Sequence, residues 1–112
     1  MGLLTQDYAT AAYISTQARE MTPQQILLEL YDFAVAGCVA RDARKASAAV
    51  VELIAALDFN YEDIAGGLYR LYEYSLREIK ADRFDSARKI LSELRDTWRI
   101  ALGAPQDATA GG

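Results

Sequence analysis

Apolar residues three and four positions apart, broken by short polar stretches, recur four times along the chain. The first block is the densest. From Met21 to Val39 it reads MTPQQILLELYDFAVAGCV. Thr22 is placed to cap a helix, and Pro23 suits the first helical position because no N–H partner is needed there. Gln25 stands where the reciprocal arm of a capping box belongs. On a helical wheel Ile26, Leu27, Leu28, Leu30, Tyr31, Phe33, Ala34, Val35, Cys38 and Val39 span roughly 240°, against the stripe of about 100° that one core contact requires. Only Gln24, Glu29, Asp32, Ala36 and Ala40 mark the other side. Such a helix is either central in the packing or gives part of its apolar face to a partner.

The later blocks extend the pattern. The first helix is predicted over 23–40, and Arg41-Asp42-Ala43 forms a very short turn with Asp42 as the next cap. A second helix over 43–57 carries Ala46, Val50, Leu53, Ile54 and Leu57 on its stripe, with enough alanine for a neighbour to come close. At the hinge Asp58-Phe59-Asn60, Asn60 is the expected cap, with Asp63 three residues on and Phe59 stapled to Ile64. The third helix, 61–81, contains Gly66-Gly67, each costing about 1 kcal/mol of helix propensity. The pair suggests a kink or a close helix crossing. Asp82 or Asp85 caps a fourth helix whose stripe runs from Phe84 through Leu91 and Trp98 to Leu102, and Gly103 with Pro105 stops it. Short turns make sequential helices antiparallel neighbours. The expected fold is therefore all-α, an antiparallel up-down four-helix bundle over 22–103. It is preceded by an N-terminal segment over 1–21, with scope for a short helix at 9–18, and followed by a disordered tail over 104–112.

Composition narrows the chemistry. At 112 residues the chain suits one domain with one modest core. A formal charge of −4 weighs against nucleic acid as a partner, and no apolar run is long enough for membrane insertion. The N-terminus lacks the basic and apolar regions of a signal peptide, so the cytoplasm is the expected compartment. The single cysteine, Cys38, reads as a buried apolar filler. There is no histidine, which excludes a His phosphoacceptor and the Glu-x-x-His pairs of di-iron bundles. No serine has a base beside it in the pattern and no glycine run forms a phosphate loop, so neither an enzyme nor a cofactor or metal site is expected. The informative feature is surplus apolar surface, suited to an amphipathic segment laid in a groove. A structural interaction module burying that surplus in a homodimer is the competing use.

Four short motifs in order bring a family into view. Tyr13 precedes Thr22-Pro23, and Leu30-Tyr31-Asp32 follows; Leu57-Asp58-Phe59 sits at the hinge; then come Leu71-Tyr72-Glu73-Tyr74 and Leu94-Arg95-Asp96-Thr97-Trp98. Across about residues 8–102 the chain resembles the flagellar secretion chaperones of the FliS family. It departs from the family pattern in having Phe33-Ala34 after the Leu-Tyr-Asp motif, in its late Gly66-Gly67 pair and in its shortened hairpins. The resemblance implies a helical bundle that binds the C-terminal segment of flagellin, keeps it from polymerising and delivers it to the export machinery. It also implies contact with an export-gate protein or an assembly regulator. Expected partner-binding residues are Ile26, Leu27, Leu30, Tyr31 and Val35 on the first helix and Leu68, Tyr69 and Tyr72 on the third. Tyr8 and Tyr13 would anchor the N-terminal segment over part of the groove. Some of these side chains belong to the core, and the sequence does not divide the two sets.

Overall fold

The computed structural model describes residues 21–103. They form four helices: α1 (Pro23–Val39), α2 (Ala43–Ala55), α3 (Glu62–Lys80) and α4 (Phe84–Ala101). Each packs chiefly on its two neighbours in the ring α1–α2–α3–α4, so α1 faces α3 across the core. This is the up-down four-helix bundle expected from the pattern. Tyr8, Tyr13, the short helix expected at 9–18 and the tail over 104–112 lie outside the described residues.

Local chemistry accounts for most helix ends. Thr22 Oγ1 accepts the Gln25 N–H at 3.1 Å and the Gln25 side chain accepts the Thr22 N–H at 2.8 Å, completing the capping box. Asp42 caps α2 by accepting the Lys45 N–H. The other two starts differ from expectation. Asn60 does not cap α3; its N–H is instead held by Asp58 Oδ1 at 3.0 Å, and Tyr61 occupies the cap without a side-chain bond. Glu62 and Asp63 then supply negative charge to the first turn, where the helix dipole favours it. Phe59 and Ile64 both stay more than half exposed, so the staple does not bury them. At α4 neither Asp82 nor Asp85 caps; Arg83 takes the position.

Both tight turns have the same construction. After α1, Arg41 adopts φ 55°, its N–H donates to Cys38 O, and the Asp42 N–H donates to Gly37 O at 2.8 Å. After α3, Asp82 adopts φ 61°, its N–H donates to Ile79 O, and the Arg83 N–H donates to Glu78 O at 2.8 Å. These are Schellman closures, with a charged residue where glycine is usual. In each, the residue that closes one helix caps the next, which is why the hairpins are so short.

The core runs through Leu30, Tyr31, Ala34 and Cys38 of α1, Ala46, Ala49, Val50 and Leu53 of α2, Tyr72 and Ile79 of α3, and Phe84, Ala87 and Leu91 of α4. Much of the wide apolar arc of α1 is absorbed here, because that helix is wedged between α2 and α4. The close crossing occurs at Gly37, where a Cβ would stand 2.6 Å from the Ala46 backbone nitrogen. Among the described residues Gly66 and Gly67 make no such approach.

Candidate functional site

The pole where α1 and α3 begin, and α2 and α4 end, does not close. Leu27 stands one turn into α1. Leu53, Ala56 and Leu57 bring α2 to its end, and Asp58 and Tyr61 lie in the hinge. Ile64, Ala65, Leu68 and Tyr72 rise along α3, and Trp98 approaches from the last turns of α4. Together they bound a partly open cleft of about 350 Å³. Its lining is almost wholly aliphatic and aromatic, with Asp58 as the sole carboxylate. The hinge explains the opening. Three residues separate α1 from α2, whereas six separate α2 from α3, which gives the neighbouring α2 and α3 room to part where Asp58-Phe59-Asn60 crosses between them.

The floor of the cleft is polar beneath an apolar skin. Trp98 Nε1–H donates to Tyr31 Oη at 3.1 Å, and that hydroxyl in turn forms a short hydrogen bond with Tyr72 Oη. The two phenol rings meet at 58° with centroids 6.1 Å apart, a tilted arrangement favoured by aromatic quadrupoles. One chain of hydrogen bonds thus joins α4 to α1 and crosses the core diagonal to α3. Burial pushes the Tyr31 hydroxyl far above the ordinary phenol range, with the Tyr72 hydroxyl adding to the effect. Burial also raises Tyr72, against the opposing effect of its bond to Tyr31. Both stay protonated in the physiological range and act as neutral cross-links. Beside them Asp32 accepts from Arg95 and Arg99, each at 3.3 Å. Three of the four short motifs therefore meet one another, with Tyr31-Asp32 set against Arg95 and Trp98, and Tyr72 behind.

The candidate partner residues divide accordingly. Leu27, Leu68 and Tyr72 line the cleft, although Tyr72 is itself buried and presents only its ring wall. Leu30 and Tyr31 are core. Ile26 and Val35 are half-buried against that core and do not reach the cleft lining. Tyr69 is exposed on α3, beside Glu73, which raises its hydroxyl pKa. Sequence reasoning missed the α2 contribution, Leu53, Ala56 and Leu57, together with Tyr61, Ile64 and Trp98. The available signal was the density of apolar residues on both sides of the hinge. Reading Phe59 and Ile64 as a staple hid it.

Among the described residues no group of acidic or cysteine side chains suits a metal ion, and no helix is long and apolar enough to cross a membrane. No curated protein and no solved structure matches the chain significantly. A family model does: that of the flagellar protein FliS matches residues 5–105.

Proposed function

The chain belongs to the flagellar protein FliS family, and from that premise we propose that it is a cytoplasmic export chaperone whose client is the C-terminal region of flagellin. The observation that carries the reading is the apolar cleft between α1, α2 and α3, with Leu27 and Leu68 on its walls and Trp98 at its base. A filament subunit must hide an apolar stripe before assembly. An amphipathic segment seating large side chains in the cleft would lose the surface it needs to polymerise. A client that orders as it binds gives up part of the interaction energy, which keeps the complex releasable to an export-gate protein or an assembly regulator. Residues 1–20 join the bundle at Met21, just before α1 and at the cleft pole. Tyr8 and Tyr13 would lie over the opening until a client displaces them.

The test is calorimetric titration with the flagellin C-terminal peptide from the same organism. Saturable 1:1 binding with a negative heat-capacity change is expected, because apolar surface is buried. Trp98 is the only tryptophan, so its fluorescence should move in step with the heat. Leu68→Asp should weaken binding at least about tenfold while the helical circular dichroism persists. A folded monomer that ignores the peptide at high micromolar concentration would sink the client assignment. A dimer with a closed cleft would favour the structural module.

A further inference from the structure

Charge is unevenly divided between the two poles. The chain has 12 basic and 16 acidic residues, yet eight of the basic ones fall in 39–45 and 77–89, the two turn regions opposite the cleft. Asp42, Glu78, Asp82 and Asp85 oppose them within those segments, and Glu73 pairs with Arg77 from just outside at 2.9 Å, which leaves that pole at +3 on a chain of −4. Two of these acids are engaged internally. Asp42 Oδ1 accepts the Lys45 N–H at 3.0 Å. Glu78 is buried, and its Oε2 accepts from Arg83 at 2.8 and 2.6 Å.

Several of the cations are held differently. The Arg41 guanidinium lies 5.2 Å from the centroid of the Phe84 ring, and the Lys45 ammonium 5.6 Å from that of Phe33. An aromatic face steadies a cation without cancelling its charge. Lys80, Arg88 and Lys89 are exposed and make no ion pair among the described residues. Val39, 65% exposed, ends α1 at the same pole.

We infer that this pole docks a short acidic segment of another protein, with Arg41 as the carboxylate fork, Lys80, Arg88 and Lys89 as flanking charges, and Val39 seating one apolar residue. A guanidinium already positioned over a ring loses little further freedom on pairing, and its planar fork matches a carboxylate bidentately. Three features favour a protein segment over other anions. Phe84 is buried beneath Arg41, so its face is not free for a base to stack on. A long polyanion would run off the pole onto the remainder of the chain, which carries −7. One exposed valine is too little apolar surface to enter a bilayer. The inference is independent of the client reading, because the cleft lies at the other end of the bundle.

The test is fluorescence anisotropy with a labelled peptide of about a dozen residues, Glu and Asp with two leucines. Single-stranded oligo-uridine and vesicles of phosphatidylglycerol in phosphatidylcholine serve as rival probes. The full chain should bind the peptide saturably, with affinity falling as salt rises from about 50 to about 300 mM. Lys80→Glu with Lys89→Glu, and separately Arg41→Gln, should each weaken it about tenfold or more. Lys80→Arg with Lys89→Arg should bind as the parent does, and flagellin-peptide binding should be unchanged in all three. Failure of the peptide to saturate, equal binding by the charge-reversed chain, or preference for RNA or vesicles would overturn the inference. A parallel loss of flagellin-peptide binding would do the same, since it would trace the effect to the whole bundle.

Discussion

The Tyr31 hydroxyl is a single atom on which three helices converge. It accepts the indole N–H of the half-buried Trp98 and shares a hydrogen bond with Tyr72, which like Tyr31 is fully buried. Tyr31→Phe keeps the ring but strands the half-buried Trp98 donor and the buried Tyr72 hydroxyl. Each orphan costs about 1–3 kcal/mol, so urea unfolding should show a loss of about 2 kcal/mol. Tyr72→Phe added to Tyr31→Phe should cost less than the sum of the singles, because the pair shares one bond. Glu78 makes a pH-dependent contribution. The Arg83 guanidinium holds its carboxyl down to about 2, against an ordinary glutamate value of about 4.3, even though burial opposes the shift. A depressed folded-state pKa adds stability that is complete above the unfolded value and fades as pH falls towards the folded one. Stability should therefore decline between about pH 4.3 and about pH 2. Glu78→Gln should flatten that decline in urea midpoints taken across the window, while lowering the midpoint near neutrality.

Among the helices, the glycines separate two jobs that look alike in sequence. Gly37 permits the α1–α2 crossing, so Gly37→Ala should destabilise by about 1–3 kcal/mol through overpacking, despite the better helix former. A Cβ at Gly67 meets nothing within 4 Å, so Gly67→Ala should stabilise by up to about 1 kcal/mol. Thermal melts of the two variants should move in opposite directions. The sequence pointed to the wrong glycines because Gly66-Gly67 are conspicuous as a pair, whereas Gly37 is a single residue inside an apolar run. The number, order and core stripes of the helices were legible, since the 3.6-residue period is strong in all four. The caps at Thr22 and Asp42 were legible too, because a side-chain acceptor marks them. The starts of α3 and α4 were not, as Tyr61 and Arg83 offer no side-chain cap. Arg41 and Asp82 hid the Schellman turns by standing where glycine would have signalled them. Only three of the eleven residues lining the cleft were legible, for a related reason. Leu27, Leu68 and Tyr72 stood out by periodicity, but division between core and cleft depends on how far the α2–α3 hinge spreads the helices. No residue encodes that alone.

For the molecule as a whole, the ring of helices leaves one pole open and apolar and the other closed and basic. If residues 1–20 cover the open pole through Tyr8 and Tyr13, they compete with the client, and the apparent affinity is reduced by the fraction of open chains. Tyr8→Ser with Tyr13→Ser should then tighten flagellin-peptide binding several-fold in calorimetry, with no change in the unfolding midpoint of the bundle. An unchanged affinity would place that segment elsewhere. The even number of helices has one more consequence. The chain enters α1 and leaves α4 at the same end, and Trp98 of the cleft lies only a few residues before Gly103. A client peptide grafted after the last turn of α4 would be tethered within reach of its own site, at an effective concentration in the millimolar range for a short flexible linker. Binding too weak to isolate between separate molecules would become intramolecular, and the fused chain would hold the complex at any dilution.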